Sequence, residues 1–300
     1  MIVCDGLTKR FGEQVAVDNA SFTCEPGTVT GFLGPNGAGK STTLRMICGL
    51  TPPSSGEATI DGRPYRSIPN PAHLVGVMLD ASAQHPGRTG RETLKLIADS
   101  IGVSDEQAAA MLERVGLDPS AAKKRVGNYS LGMRQRLGIA GALVGDPKIL
   151  ILDEPANGLD PEGIRWMRGI LREFADNGGT VVLSSHLLSE VEQVADKIVV
   201  INRGQIIADG TPDDLRKAQD AGPSTMLVTA TDAHALAAAL EKAGIWWQYA
   251  QDGSTFDVAG EPAAIGEAAL RGEVVLTRLE PARRGSLEDL FISLTDGSQS

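Results

Sequence analysis

Short, continuous apolar runs recur in roughly the first 215 residues of the chain. They lie at Ile149–Leu152, Val181–Leu183 and Ile198–Ile201, and the stretch Thr28–Leu33 is similarly rich in β-forming residues. Strands buried on both faces have this character, because helices cover both sides of a parallel sheet. The pattern therefore predicts a parallel sheet.

A more helical section lies between the strand predicted at Thr28–Leu33 and the apolar run at Ile149–Leu152. Apolar residues recur there at helical spacing in Arg91–Ser100, Ser104–Val115 and Arg134–Val144. Ser104 with Gln107, and Asp160 with Pro161, have the composition of helix starts. Strands and helices in this order indicate an α/β fold, with a helical subdomain at about residues 81–145.

A second pattern follows the turn-rich segment Asp220–Pro223. It predicts strands at 225–231, 245–250, 255–259 and 273–279, helices at 233–243 and 262–271, and a last helix that begins at Ser286. The β-α-β-β-α-β order is typical of a small ferredoxin-like α+β domain. We therefore predict two domains, residues 1–217 and 224–300, and assign no chemistry to the second.

Composition narrows the class of protein. The chain has 300 residues, 42% of them hydrophobic and 22% charged, which is ordinary for a globular protein. No apolar stretch approaches the roughly 18 residues of a membrane span, and no secretory signal is visible. The net charge of −10 argues against nucleic acid as the main partner. Cys4, Cys24 and Cys48 form no metal pattern, so we expect buried, reduced thiols in a cytosolic protein.

The segment between the strand at Thr28–Leu33 and the helix predicted at Thr42–Cys48 matches the phosphate-loop pattern G-x-x-x-x-G-K-[ST]. It consists of Gly34, Pro35, Asn36, Gly37, Ala38, Gly39, Lys40, Ser41 and Thr42. Lys40 would reach the β- and γ-phosphates of a nucleotide, and the Ser41 hydroxyl would ligate Mg²⁺. The alternative is a glycine-rich turn that matches by accident.

Two adjacent acids, Asp153 and Glu154, follow the apolar run that ends at Leu152. At the carboxyl end of a buried parallel strand, Asp153 could help to hold Mg²⁺ and Glu154 could polarise an attacking water. Strands also end commonly in acidic turn residues, and that alternative stays open for the pair alone.

Taken together, the motifs resemble the nucleotide-binding subunit of ATP-binding-cassette (ABC) transporters over roughly residues 2–215. Six elements stand in the family's order: Phe11-Gly12, the loop Gly34–Thr42, Tyr129–Arg136 in place of the signature motif LSGGQ-x-Q-R, Asp153–Pro155, Asn157–Pro161 as the D-loop, and Ser184–His186 with the switch histidine.

The resemblance implies an α/β P-loop ATPase core that binds ATP with Mg²⁺ and hydrolyses ATP. Phe11, whose alternative role is packing, would stack on adenine. Glu154 would be the general base and His186 would hold the γ-phosphate and water in line. Two copies would pack head to tail, so that Ser130 and the Gly132 backbone contact the nucleotide on the partner's loop.

Two departures from the family's pattern concern turnover. Leu131 and Met133 stand where the signature has Gly and Gln, and Asp80 stands where the family places a glutamine that approaches the metal. An acidic residue can still ligate Mg²⁺, so Asp80 is kept as a predicted metal ligand beside Ser41 and Asp153.

The motif surroundings are also similar to subunits of bacterial multidrug and antibiotic exporters of the daunorubicin- or bacitracin-resistance kind. The resemblance implies a separately encoded transmembrane permease as partner, and a place at the inner face of the cell membrane. Two alternatives remain: a non-transport ABC ATPase acting on ribosomes or DNA, and a weakly hydrolysing regulatory subunit.

Overall fold

The computed structural model describes residues 1–220, 225–250 and 253–281. Two compact units divide this part of the chain: the first covers Met1–Pro212, and the second begins at Asp213. Residues 221–223 of the predicted turn-rich segment and the helix predicted to begin at Ser286 lie outside the described residues. The predicted domain limits therefore stay a prediction.

The first unit contains two sheets. A three-stranded antiparallel sheet has the order β2-β1-β4, and a six-stranded sheet has the order β5-β6-β7-β3-β8-β9. The nine strands are β1 (Ile2–Phe11), β2 (Gln14–Cys24), β3 (Val29–Leu33), β4 (Ser55–Ile60), β5 (Val75–Met78), β6 (Ile149–Leu152), β7 (Thr180–Ser185), β8 (Lys197–Asn202) and β9 (Gln205–Gly210). The predicted parallel pairing is confirmed for β3, β6, β7 and β8. β5 adds a further parallel strand beside β6, and β9 closes the sheet in antiparallel pairing.

Seven α-helices accompany these strands in the described residues of the first unit, and an eighth begins at the last residue of that unit and continues into the second. They are α1 (Lys40–Ile47), α2 (Gly90–Ile101), α3 (Asp105–Arg114), α4 (Pro119–Ala122), α5 (Leu131–Leu143), α6 (Pro161–Asp176), α7 (Leu188–Val191) and α8 (Pro212–Asp220). Ser104 and Gln107 form the predicted capping box of α3, and Asp160 caps α6 by accepting the Gly163 N–H. No helix in residues 1–220, 225–250 and 253–281 is long and apolar enough to cross a membrane.

Every residue of β3, β6 and β7 is buried. The three strands are neighbours in one sheet and run parallel, so their carboxyl ends lie along the same edge. At that edge the chain continues into the glycine-rich loop after Leu33, the acids after Leu152 and the histidine after Ser185. The topology therefore brings together motifs that are more than a hundred residues apart in sequence.

Helix α5 lies close against β5 at Gly76. A Cβ atom placed on Gly76 would lie 2.0 Å from the carbonyl oxygen of Ala142 and 2.8 Å from Leu150 Cδ2. The contact with the Ala142 carbonyl is to backbone, so no rotamer change can relieve it, and Leu150 is itself fully buried. The glycine in the Val75–Met78 strand thus sets the distance between helix and sheet.

We expect Gly76→Ala to destabilise the first unit by about 1–3 kcal/mol, the usual effect of overpacking. Gly169→Ala is the matched control, because Gly169 is exposed on α6 and no atom lies within 4 Å of an added Cβ. That change should stabilise by about 0.5–1 kcal/mol through helix propensity. Midpoints of urea unfolding followed by circular dichroism measure both, and a Gly76→Ala midpoint equal to wild type would contradict the packing argument.

The second unit has the predicted β-α-β-β-α-β order. Its elements are β10 (Thr225–Ala230), α9 (Ala233–Lys242), β11 (Trp247–Tyr249), β12 (Phe256–Ala259), α10 (Pro262–Arg271) and β13 (Leu276–Pro281). The sheet order is β11-β12-β10-β13 and all three pairings are antiparallel, which is the split βαβ arrangement. Phe256, Val228 and Leu240 are fully buried in its core.

The last strand begins later than predicted, at Leu276 instead of Glu273. Glu273 has a φ of 55°, and its N–H donates to the carbonyl of Leu270 in the turn that ends α10. A residue in the left-handed conformation cannot continue an extended strand. The predicted strand start at Glu273 is therefore wrong, because this residue still belongs to the turn after α10.

The three cysteines are free and buried, which confirms the predicted role as packed thiols. Burial raises the pKa of Cys24 and Cys48 to about 12 and raises the pKa of Cys4 well above its ordinary value. A thiol with so high a pKa holds almost no thiolate at neutral pH and is a poor nucleophile.

Candidate functional site

The glycine-rich loop delivers the amino end of α1 without any side-chain cap. Gly39 is the N-cap residue with a φ of 111°, no side chain accepts from the first turn, and the first turn carries no acid. In contrast, side chains cap α2, α3, α4, α5 and α6. The first N–H groups of α1 therefore keep free donors beside the positive end of the helix dipole, which suits an anion.

The loop has no room for larger residues at two of its glycines. A Cβ on Gly34 would lie 2.3 Å from the Ile201 carbonyl oxygen, and one on Gly39 would lie 2.6 Å from the Ala16 carbonyl oxygen. Gly39 also holds a φ that side chains rarely adopt. The loop is therefore held between the beginning of β2 and the end of β8, and its curl is set by backbone contacts.

Lys40 is buried beneath this loop, with 6% of its side chain exposed. Its ammonium nitrogen donates to the carbonyl of Gly34 at 2.6 Å and lies 3.3 Å from Glu154 Oε1. The other carboxylate oxygen of Glu154 lies 2.8 Å from His186 Nδ1. One carboxylate thus bridges a cation and an imidazole, so three predicted catalytic residues from three separate segments meet in direct contact.

Glu154 is held in a conformation that carries strain. Its φ is 49°, in the left-handed region that residues other than glycine rarely occupy. Its N–H donates to Ser184 Oγ at 3.0 Å and its carbonyl accepts from Gln135 Nε2 at 3.4 Å. Neighbouring elements thus fix the backbone that aims the carboxylate.

Ser184 and Gln135 are residues that the sequence analysis missed as parts of the site. The Ser184 hydroxyl donates to the Asp153 carboxylate while it accepts the Glu154 N–H, so one buried serine orients both acids. Gln135 is buried on α5, the helix that follows the signature segment. The quoted Ser184–His186 and Tyr129–Arg136 motifs contained both, but no local pattern shows what they contact.

A cleft of about 570 Å³ opens above the loop. Eight predicted site residues line it: Phe11, Asn36, Gly37, Gly39, Lys40, Ser41, Thr42 and Glu154. Four residues that were not predicted line it too: Gln14, Val15, Ala16 and Arg203. Gly34, Pro35 and Ala38 form the rest of the loop without lining the cleft. The cleft combines an exposed aromatic ring, a cation and free helix donors, a donor set that fits a nucleotide with its phosphates.

Phe11 stands at the rim of the cleft with 53% of its surface exposed. The Lys9 ammonium lies 5.0 Å from the ring centroid and donates to the Pro52 carbonyl. An ammonium group over the face of an aromatic ring makes a favourable cation–π interaction. The exposed ring is placed as a platform for a planar base, and its predicted stacking role stays a prediction.

Ser130 and Gly132 do not line this cleft. The Ser130 hydroxyl caps α5 by accepting the Met133 N–H at 3.2 Å, and a Cβ placed on Gly132 would lie 3.3 Å from the Gly158 carbonyl oxygen. Leu131 is 45% exposed and packs on Gly158, where an added Cβ would lie 2.2 Å from Leu131 Cδ2. The departure from the signature pattern thus makes a contact between the signature segment and the predicted D-loop.

Asp80 lies outside the residues that line the cleft. Its carboxylate accepts from the Ser82 hydroxyl at 2.6 Å and from the Ser82 N–H at 2.7 Å, and these hydrogen bonds lower its pKa. Its role as a metal ligand stays a prediction. Among the described residues no cluster of three His, Cys, Asp or Glu side chains forms a ready metal site. The metal-ligand roles of Ser41 and Asp153 also stay predictions: Ser41 lines the cleft, and the Asp153 carboxylate accepts from the Ser184 hydroxyl. Hydroxyl and carboxylate oxygens are ligands that Mg²⁺ accepts.

A second cleft, of about 650 Å³, is lined by Arg114, Lys148, Phe174 and neighbouring residues. None of the predicted site residues lies there, and it has neither a glycine-rich loop nor an uncapped helix start. The larger volume therefore does not make it the better candidate, because phosphate binding depends on the donors and not on size.

Comparison with known proteins gives one consistent family. The sequence pattern described as "ABC transporter" matches residues 17–157. The bacitracin transport ATP-binding protein BcrA of Bacillus licheniformis is 42% identical over 214 residues, which cover 70% of this chain and 70% of that protein.

Two relatives extend over almost the whole chain. BcrA of Enterococcus faecalis is 34% identical and covers 99% of this chain and 97% of its own length. The Nod factor export ATP-binding protein I of Burkholderia lata is 36% identical and covers 96% and 95%. Similarity that includes the second unit therefore extends beyond the ATPase motifs.

Solved structures share the fold of the first unit. A structure described as the ATP-binding subunit of an ABC transporter superposes with a TM-score of 0.66 at 28% identity, over 73% of this chain and 92% of that one. CbiO1 of Clostridium perfringens, described as part of the transporter complex CbiONQ, gives 0.60 at 27% identity, over 74% and 95%.

Proposed function

The chain belongs to the ABC transporter family as an ATP-binding, ATP-hydrolysing subunit, and on that premise we propose that it powers the export of a drug, an antibiotic or another hydrophobic compound. Two relatives whose similarity spans both units are named for bacitracin transport and Nod factor export. Export of such a compound is the activity that the similarity over the whole length supports best.

The contact of Glu154 with both Lys40 and His186 carries the chemical part of this proposal. Lys40 leaves the carboxylate for the β- and γ-phosphates when ATP enters, because a phosphate chain offers it more negative charge. Glu154 is then free to accept a proton from the attacking water, and His186 holds that water and the γ-phosphate in line. Bound Mg²⁺ would supply neutralisation of phosphate charge beside Ser41 and Asp153.

The site within one chain is incomplete, which supports a second copy as partner. Ser130 and Gly132 lie outside their own cleft, at the exposed amino end of α5. We propose that this helix end meets the nucleotide on a partner's Lys40 in a head-to-tail dimer. ATP then favours the closed dimer and hydrolysis releases it.

The permease is proposed to be a separate chain that contacts the helical section between about residues 81 and 128. The subunit would lie at the cytoplasmic face of the membrane, where ATP is present. A regulatory subunit with little turnover is the competing proposal, favoured by exposed Leu131 in place of a signature glycine. The assembled Lys40, Glu154 and His186 contact favours turnover.

An affinity pull-down from the native membrane fraction tests the transport role. Glu154→Gln protein with Mg·ATP is expected to retain a permease with several membrane spans, and the same bait without nucleotide should retain less. Mass spectrometry identifies what is recovered. Recovery of ribosomal or DNA-associated proteins in place of a permease would overturn the transport role and leave the ATPase activity standing.

A further inference from the structure

We propose that Arg203 is a further phosphate-binding residue of the cleft and contacts the α- and β-phosphates of the bound nucleotide. The inference rests on the proposed function, because it needs the cleft above Lys40 to be the nucleotide site. Arg203 lies in the turn between β8 and β9 and lines this cleft together with Phe11, Lys40 and Thr42. No motif of the sequence analysis includes it.

Backbone contacts anchor the turn that carries Arg203. The Gly204 N–H donates to the Ala38 carbonyl of the glycine-rich loop at 2.9 Å, and the Gly204 carbonyl accepts from the Asp18 N–H at 2.8 Å. The turn is therefore bonded both to the loop that holds phosphate and to β2. Arg203 has a φ of 48°, a left-handed turn conformation, so the backbone presents the side chain at a defined place.

The guanidinium has no partner in the described part of the chain. Its side chain is exposed and makes no hydrogen bond or ion pair with the residues of 1–220, 225–250 and 253–281. Two cations of the first unit do have one: Lys197 pairs with Asp209 at 2.8 Å and Arg172 with Asp196 at 2.8 Å. The exposed Arg63 side chain likewise has none among the described residues, so the lack of a partner counts for Arg203 only together with its place at the cleft. In a chain with a net charge of −10, an unpaired arginine at a cleft indicates an anion that comes from outside.

The two cations of the cleft, Lys40 and Arg203, are suited to different phosphates of the nucleotide. Lys40 is a point charge beneath the loop, suited to the β- and γ-phosphates. Arg203 lies on the side of the cleft formed by β2. A Cβ placed on its neighbour Gly204 would lie within 3.2 Å of backbone atoms of Ala16 and Val17 in that strand. Phe11 and Gln14, which are paired across β1 and β2, also line the cleft. A guanidinium there can bind α- and β-phosphate oxygens with two parallel hydrogen bonds.

Equilibrium titration of purified full-length chain with ATP, ADP and adenosine tests the proposal. Arg203→Gln is expected to raise the Kd for ATP and for ADP by about tenfold, the effect of losing a charge-assisted hydrogen bond. Arg203→Lys should recover part of the affinity, and higher salt should narrow the gap between wild type and Arg203→Gln. Adenosine, which has no phosphate, should bind all variants equally.

Two further variants keep the test interpretable. Arg203→Asn removes the same charge with a residue that tolerates the left-handed turn, so that a folding defect in Arg203→Gln does not stop the test. Arg63→Gln removes one positive charge from an exposed turn elsewhere, and it should leave both Kd values within about twofold of wild type. It separates a direct contact from the loss of net charge.

The proposal is overturned if Arg203→Gln and Arg203→Asn bind ATP and ADP like wild type, or no more weakly than Arg63→Gln. A loss for adenosine as large as the loss for ATP would also overturn it, because the contact would then be to base or ribose. Lys40→Ala in the same assay distinguishes failure of the Arg203 proposal from failure of the proposed nucleotide site. Weakened binding by Lys40→Ala with normal binding by Arg203 variants refutes Arg203 alone, and normal binding by Lys40→Ala refutes the nucleotide site.

Discussion

Glu154→Gln is expected to slow ATP hydrolysis by about 10²- to 10⁴-fold, the range for loss of a general base. Glutamine keeps the size of the side chain and can hydrogen-bond to Lys40 and His186, which lie 3.3 and 2.8 Å from the carboxylate oxygens. It cannot take a proton from water at neutral pH. Phosphate release in the presence of Mg·ATP, measured with and without the permease, gives the rate.

ATP binding should survive this change, because no donor to the phosphates is removed. An ATP-bound dimer that cannot hydrolyse its ligand should then accumulate and elute earlier than the monomer in size-exclusion chromatography. Glu241→Gln, an exposed glutamate of α9 in the second unit, is the matched control and should turn over like wild type. A Glu154→Gln protein that stays monomeric with normal turnover would exclude Glu154 as the base.

Lys40→Ala is expected to weaken ATP binding by about 10- to 100-fold. The ammonium is buried beneath the loop and supplies charge-assisted hydrogen bonds to phosphate, which contribute about 1.5–3 kcal/mol each. Its loss also leaves the half-buried Glu154 carboxylate without its cation, which adds repulsion against the incoming phosphates. Isothermal titration calorimetry gives the Kd, and circular dichroism checks that the fold is kept.

Lys148→Ala is the matched control for this change, since Lys148 lines the larger second cleft. It should bind ATP with the affinity of wild type. The opposite pattern, normal binding by Lys40→Ala and weak binding by Lys148→Ala, would move the nucleotide to the second cleft and overturn the assignment of the phosphate loop.

Local sequence carries the information for several features that the structure confirms. The apolar runs at Ile149–Leu152 and Val181–Leu183 are parallel strands, because burial on both faces leaves a continuous apolar run. The Ser104 capping box depends on two residues that are three positions apart, so the local sequence predicts it. The glycine-rich loop is legible for the same reason, since its curl depends on glycines within one turn.

The contacts inside the site depend on residues distant in sequence. Ser184 orients Asp153 across 31 positions, His186 meets Glu154 across 32, and Gln135 reaches the Glu154 carbonyl across 19. Neither hydrophobic periodicity nor a capping motif in the local sequence predicts contacts between residues so far apart. The first two contacts form because β6 and β7 end at the same edge of one sheet, and the third forms because α5 places Gln135 beside the end of β6.

The motifs alone therefore establish the element types, the phosphate loop and the family, because those follow from spacing between neighbouring residues. The bridge of Glu154 between Lys40 and His186, the packing of Leu131 on Gly158 and the place of Arg203 at the cleft follow from the folded arrangement. Strand order and the approach of the β8–β9 turn to Ala38 create them, and both are properties of how the sheet assembles around its buried core.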